Sequence, residues 1–295
     1  MKLYDYEISY HNQKTKERQY LLTEEKESSA SISHVLRLNN NQYRKVAITS
    51  NLPFSNIVPN QKISFIVNKV LSFSTTVGSN EIFYHIAEEG NLELRDYWLS
   101  HTFLPILLTI ENKYYILHAG AVEIFEKPVL FVADSFGGKS TMTDFFIKKG
   151  HTMISDDKVA TYDKDGFIYS VPSYPYHRPY RKMEDLGIFV ENFAKENKII
   201  NCIFNLVKSD AKASIKIEEI FGVEKFKVLR YATDIDLPVE QEKKFTTLAN
   251  IANKVQIYSI IIPWDLNRLE EVYQTIINFI NNRNKGIKWQ LIQKS

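Results

Sequence analysis

A single cysteine, Cys202, is found among the 295 residues. That excludes a disulfide framework and any zinc site built on cysteine thiolates. Cys202 lies in the apolar run Ile199–Val207 and reads as a small buried hydrophobe rather than a reactive thiol. The seven histidines are scattered, without metal-ligand spacing. Charge of one sign is lacking too. Lys and Arg number 37 against 35 Asp and Glu, a net +2, so no global field calls for nucleic acid as a partner. No apolar run approaches the ~20 residues that cross a bilayer. The N-terminus alternates apolar and polar residues and carries acids from Asp5 onward, which is wrong for a signal peptide. The expectation is a soluble, cytoplasmic protein with neither a nucleic-acid nor a membrane partner. What is abundant is apolar mass. Hydrophobic residues make up 44%, enough for one large core or two modest ones.

The hydrophobic period divides the chain. Tyr4, Tyr6, Ile8 and Tyr10 alternate with polar residues, as do Ile63, Phe65 and Val67, and Ile82–Ile86 is a further β-like run. Turn-rich stretches at Asn39–Asn41 and Val77–Asn80 separate them. Residues 1–92 are therefore read as a β-rich region and 93–295 as a second domain. Leu94, Tyr97, Trp98, His101 and Leu104 mark one helix face, which Pro105 should end or kink.

Beyond it, Tyr114–Leu117 and Val122–Phe125 look like paired strands, and Pro128–Val132 looks like a buried one. A helix over Lys139–Lys149 should stop at Gly150. A short strand, Thr152–Ser155, runs into Asp156–Asp157. Val159–Tyr162 and Phe167–Val171 flank the hairpin signal Asp163–Lys164–Asp165–Gly166. Further helices are predicted over Met183–Lys195, Ile217–Tyr231, Val239–Asn253 and Leu266–Asn281, with strands at Ile199–Val207 and Val255–Ile262. Mixed strands and helices of this kind predict an α/β (mixed α+β) fold.

Between the strand ending at Val132 and the helix from Lys139 runs Ala133–Asp134–Ser135–Phe136–Gly137–Gly138–Lys139–Ser140. The phosphate-loop signature is G-x-x-x-x-G-K-S/T in this strand–helix context. Only its first glycine is replaced, by Ala133, which is expected to narrow the loop or demand a negative φ. A loop entering a helix aims free N–H groups at one point, where the helix dipole favours an anion. Gly137 and Gly138 let the backbone approach phosphate oxygens. Lys139 supplies an ammonium for β- and γ-phosphates, and the Ser140 hydroxyl a ligand for Mg²⁺. The expected nucleotide-binding residues are Asp134, Ser135, Phe136, Gly137, Gly138, Lys139, Ser140 and Thr141, and the expected ligand is ATP.

Ligands of α/β sheets gather at the carboxyl ends of strands, where Asp156–Asp157 falls. One carboxylate could take a proton from an attacking hydroxyl while the other holds Mg²⁺. The segment Pro172–Lys182 is aromatic, proline-rich and basic. Its arginines, Arg178 and Arg181, could meet a transferred phosphate or an acidic peptide.

Leu117–His118–Ala119–Gly120–Ala121–Val122, Val129–Thr141, Gly150–His151 and Ile154–Ser155–Asp156–Asp157–Lys158–Val159 together resemble the core of the HPr kinase/phosphorylase family, over about residues 114 to 162. Tyr174–Arg178 and Val255–Ile280 also look like HPr-kinase-related proteins that phosphorylate lasso-peptide precursors. The resemblance implies a P-loop kinase domain using ATP and Mg²⁺. It implies Asp156 as catalytic base, Asp157 near the metal, Lys139 and Ser140 on the phosphates and Mg²⁺, and His118 near the transferred phosphate. Bifunctional members form rings, so a homo-oligomer is compatible with it. Their E-x-R-G-x-G signature has no counterpart here, so HPr as substrate and the reverse reaction are not implied.

The expected function is a kinase acting on a serine of a peptide or protein, with a ribosomally made, lasso-type precursor preferred. The alternatives are a non-catalytic nucleotide-binding regulator, and a kinase of free serine or another small molecule.

Overall fold

The computed structural model describes residues 1–10, 18–25, 34–38, 44–134, 136–180, 182–235, 237 and 241–292. The turn expected at Asn39–Asn41 lies outside them. The protein is mixed α/β and strand-rich.

The N-terminal strands are β1 (Lys2–Leu3), β2 (Tyr6–Ser9), β3 (Gln19–Glu24), β4 (His34–Leu38), β5 (Val46–Ser50), β6 (Lys62–Val67), β7 (Leu71–Thr76) and β8 (Glu81–Ile86). They form one sheet in the order β1-β2-β3-β8-β7-β6-β5-β4. The single strand expected over Tyr4–Tyr10 is instead broken by a turn, because Tyr4 and Asp5 take positive φ. The inward residues of β6 and β7 alternate cleanly, and Phe65 and Phe73 are fully buried.

Helix α1 (Leu92–Trp98) and helix α2 (Leu104–Ile110) cover this sheet, joined without a break by a π-turn over Leu99–Phe103. Asn91 caps α1 by accepting from the Leu94 N–H. Pro105 does not end the helical run, which continues to Ile110. It sits at the start of α2, and the departure from α-helical geometry falls immediately before it, in the π-turn. Phe103 stacks on Phe73 at 4.9 Å, and Trp98 packs against Phe65 at 6.1 Å. The same core runs on through Tyr114, Ile116, Ala160, Val171 and Tyr174.

Then follow β9 (Tyr115–His118), β10 (Gly120–Ile124), β11 (Lys127–Ala133), α3 (Lys139–Lys148), β12 (Met153–Ser155), β13 (Lys158–Lys164), β14 (Phe167–Val171), β15 (Tyr176–His177), β16 (Ile188–Phe189), β17 (Lys198–Ile199), β18 (Cys202–Ser209), β19 (Lys216–Ile220), α4 (Val223–Tyr231), α5 (Gln241–Lys254), β20 (Ile257–Pro263) and α6 (Leu269–Ile292). A six-stranded mixed sheet runs β12-β10-β11-β18-β20-β19, with β11, β18 and β20 parallel. An antiparallel four-stranded sheet runs β17-β14-β13-β9.

The strands β9 and β10 are not partners, contrary to the sequence expectation. The chain changes sheets at Ala119, so β9 pairs with β13 while β10 pairs with β11 and β12. The expected helix at Met183–Lys195 is also absent; that stretch contains β16. The expected helix over Ile217–Tyr231 begins only at Val223, since β19 adds to the sheet edge first.

Along β11, Val129, Phe131 and Ala133 face α3 and α6, while Leu130 and Val132 face the other core. Burial on both faces explains the unbroken apolar run, at about 1.5–3 kcal/mol per buried side chain. The hairpin between β13 and β14 turns through Asp165 and Gly166, both at positive φ as a two-residue turn requires.

Candidate active site

The phosphate-type loop leaves β11 directly. Ala133 is still a strand residue, paired with Leu206, and takes no left-handed conformation. Its methyl belongs to the core with Phe131 and Phe146. Across the loop the requirement is stricter. A Cβ on Gly137 would lie 2.7 Å from the Ala133 Cβ and 2.8 Å from the Asp134 oxygen. Gly138 sits at φ +91, a conformation that glycine adopts freely. It caps α3 without any side-chain hydrogen bond, leaving that role open to an anion. Lys139 is buried and donates from Nζ to the Ala133 carbonyl at 3.0 Å, folded back across the loop mouth. Asp134 and Phe136 are exposed at the loop tip, as is Thr141 on the first turn of α3. Ser135 lies outside the described residues.

Close packing fixes α3 against β10. A Cβ on Gly120 would fall 2.0 Å from Thr143 Oγ1 and 3.6 Å from the Asp156 oxygen. This brings the strand end carrying Asp156 against the second turn of α3.

Asp156 is buried. Its Oδ2 accepts from the Arg178 backbone N–H at 2.7 Å. Its Oδ1 has no well-aligned donor; the nearest cation is His177 Nδ1 at 3.0 Å. The other nitrogen of His177, Nε2, lies 3.2 Å from Asp144 Oδ1 on α3. One buried imidazole thus stands between two carboxylates. Burial pushes its pKa down, but Asp156 and then Asp144 outweigh this and raise it.

Asp157 faces the opposite way. Its Oδ1 is 3.0 Å from His118 Nδ1, and its Oδ2 is 3.4 Å from Arg178 Nη2. Burial would raise its pKa, yet the contact with His118 and the charges of Lys158, His118 and Arg178 hold it well below the ordinary carboxylate range. The β9–β13 register places His118 opposite Lys158, and Lys158 pairs with Asp234. His118 also comes within 3.8 Å of Asp234. Arg178 reaches Tyr97 of α1, donating to its hydroxyl at 3.4 Å. The structure therefore gathers His118, Asp156, Asp157 and Arg178 into one cluster, which Asp156 links to α3 through His177 and Asp144. Arg181 lies outside the described residues.

Sequence reasoning missed His177, Asp144, Lys158 and Asp234. His177 stood inside the noted aromatic-basic segment, but only its burial between two acids sets it apart. Lys158 and Asp234 are joined by strand register and a long connection, which leave no local signal.

Among the described residues no group of three or more His, Cys, Asp or Glu is arranged to hold a metal ion. Of the two residues expected to hold Mg²⁺, Ser140 lies in the first turn of α3, and Asp157 has its two oxygens turned to His118 and Arg178. A cavity of about 590 Å³, lined by Lys113, Tyr114, Asp163 and Lys243 among others, holds none of the candidate site residues.

Fold and loop define a mixed α/β protein with a strand–loop–helix of the phosphate-binding kind. Over part of its length the sequence is similar to HPr kinase/phosphorylases. It is 28% identical to the HPr kinase/phosphorylase of Chromobacterium violaceum over 149 residues, which are 43% of this chain and 47% of that protein. It is 26% identical over 149 residues to the HPr kinase/phosphorylases of Lactobacillus johnsonii and Lactobacillus gasseri, or 46% of this chain and 44% of theirs. The chain thus spans about half the length of the curated relatives it matches. The solved Hpr(Ser) kinase/phosphatase from Coxiella burnetii aligns with 59% of this chain and 98% of its own, at 12% identity and a TM-score of 0.37. No family model matches the chain. Among the described residues no helix is long and apolar enough to cross a membrane.

Proposed function

We propose that this protein is an ATP- and Mg²⁺-dependent kinase that phosphorylates a serine of a peptide or protein, with a ribosomally made precursor peptide as the preferred acceptor. The observation that carries the reading is Asp156. It is a buried carboxylate at a strand end, with Oδ2 held by the Arg178 N–H at 2.7 Å and Oδ1 facing the His177 ring nitrogen Nδ1 at 3.0 Å. It stands beside the helix whose uncapped N-terminus follows the glycine loop.

In this reading the loop amides and Lys139 grip the β- and γ-phosphates, and Lys139 moves from the Ala133 carbonyl to the phosphate. Ser140 and Asp157 would hold Mg²⁺, which would supply positive charge to the phosphates. Asp156 takes the serine proton as the serine oxygen bonds to the γ-phosphorus and the bond from that phosphorus to ADP breaks, and His177 keeps the carboxylate oriented. Arg178 stays protonated between Asp157 and Tyr97 and offsets charge on the moving phosphoryl group. A loose transition state asks mainly for positioning and charge, and these residues supply both. Kinship with proteins named HPr kinase/phosphorylase supports a kinase. The preference for a peptide rests on the missing E-x-R-G-x-G segment.

The test is transfer of labelled γ-phosphate to serine peptides. Asp156→Asn is expected to bind ATP like the parent and lose about 10²–10⁴-fold in transfer. Lys139→Ala is expected to weaken both binding and transfer. Parental transfer rates in Asp156→Asn would remove the proposed base.

A further inference from the structure

The sheet order gives the loop two unlike sides. Asp156 and Asp157 follow β12, on one side of β11, while β18 and β20 lie on the other. A nucleoside triphosphate is elongated, with the reacting phosphoryl at one end and the base at the other. With the reacting end at Asp156, the base leaves the loop toward the carboxyl ends of β18 and β20.

A groove of about 300 Å³ opens there, lined by Gly138, Thr141, Met142, Ile262, Trp264 and Leu266 among others. It begins at the loop itself, since Gly138 caps α3 and Thr141 follows Ser140. Its far wall is the turn from β20 into α6. Trp264 packs so close that a Cβ on Gly138 would meet its ring at 3.5 Å. The Lys208 ammonium stands 3.9 Å from the centre of the same ring and steadies it. Trp264 nevertheless stays 45% exposed and Leu266 76% exposed, an apolar surface with no burial to explain it. A second cavity of about 470 Å³ at the end of β18 is lined by Asp134, Phe136, Lys208, Lys227 and Tyr231. Its charged lining suits a flat apolar base less well.

We propose that the groove between the start of α3 and Trp264 is the base subsite, where the purine of a nucleoside triphosphate stacks on the indole and lies against Leu266. The inference rests on the loop being the triphosphate site, and it adds where the rest of the nucleotide goes.

Calorimetry on the full chain with Mg²⁺, comparing ATP with inorganic tripolyphosphate, tests both separately. Tripolyphosphate reads the loop alone; the difference between the ligands reads the base. Trp264→Ala is expected to weaken ATP about tenfold or more, the worth of one stacked base, with tripolyphosphate within about twofold of the parent. Trp264→Phe should recover most of the loss. Leu266→Ser, at a surface position that leaves folding intact, should weaken ATP about threefold and decides the matter if Trp264→Ala does not fold. Parental ATP affinity in Trp264→Phe and Leu266→Ser together with Trp264→Ala overturns the subsite, as does an equal loss for both ligands. Selective loss of ATP in Tyr231→Ala would instead put the base at the end of β18. A parent that binds tripolyphosphate but gains nothing from the base sinks the subsite alone. A parent that binds neither ligand sinks the loop reading with it.

Discussion

His177 is held between Asp156 and Asp144, with 3% of its surface exposed, and that placement has a measurable consequence. Its pKa is raised above the ordinary 6.5. The folded chain therefore binds this proton more tightly than the unfolded chain does. The stabilisation is complete below the unfolded value and disappears as pH rises through the raised folded value. His177→Asn should then cost about 1–3 kcal/mol in urea unfolding at pH 5.5, the range for a hydrogen bond to a charged group, and less at pH 9. A cost that does not change with pH would show the imidazole to be neutral in the fold. Single residues such as this one were the least legible part of the chain. Lys139, Ser140, Asp156 and Asp157 could be singled out because their motifs are contiguous. His177 becomes visible only once α3 and β15 are side by side. Ala133 is the converse case. The sequence marks it as a defect in the signature, while the structure shows a strand residue whose methyl fills core and whose counterpart, Gly137, bears the steric demand.

Gly120 sets how closely an element can approach its neighbour. With a Cβ there, β10 and α3 would have to separate, since Thr143 Oγ1 occupies that point. Gly120→Ala should destabilise by about 1–3 kcal/mol, as overpacked sites do. Thr143→Ala in the same chain should restore part of that loss, because it removes the nearest atom but leaves the Cβ at 3.2 Å. Denaturant unfolding of the two single variants and the double variant measures the coupling, and simple additivity would mean that the contact does not limit the packing. The motif Gly150–His151 also works at this scale. Gly150 stops α3 at φ +90. His151 lies 2.9 Å from the Glu123 carbonyl and 3.1 Å from the Tyr273 hydroxyl, tying β10 to α6. Periodicity exposed most such elements, β6, β11, α3 and the β13–β14 hairpin among them, because each buries a face that its own residues define. It failed where partners are remote. Nothing local to Tyr115–His118 says that its ladder lies with β13, and nothing in Lys216–Ile220 says that it will add to β20 rather than begin a helix.

Across the whole molecule, one apolar cluster joins the N-terminal sheet to the strands beside the candidate site. It runs from Phe65 and Phe73 through Phe103 and Leu107 to Ile116, Ala160 and Tyr174. Polar contacts follow the same route. The Tyr4 N–H donates to the Ser173 carbonyl at 3.0 Å, and the Tyr4 hydroxyl to the Ser100 carbonyl at 3.2 Å. His101 lies between Tyr97 and Tyr174, with ring centres 4.5 and 4.4 Å away. Its deep burial lowers its pKa, which keeps it neutral within that stack. Tyr97 in turn meets Arg178, which holds both Asp156 and Asp157. The helices over the N-terminal sheet therefore form one wall of the acidic site. Loss of that sheet should take the site with it. Phe73→Ala, far from the loop and fully buried, is expected to cost about 3–5 kcal/mol. The loss should appear as one shifted transition, with ATP binding and far-ultraviolet signal disappearing together on heating. Two separate transitions, the first abolishing only β-sheet signal while ATP stays bound, would show that the N-terminal sheet is an independent unit and that Tyr97 is dispensable to the site.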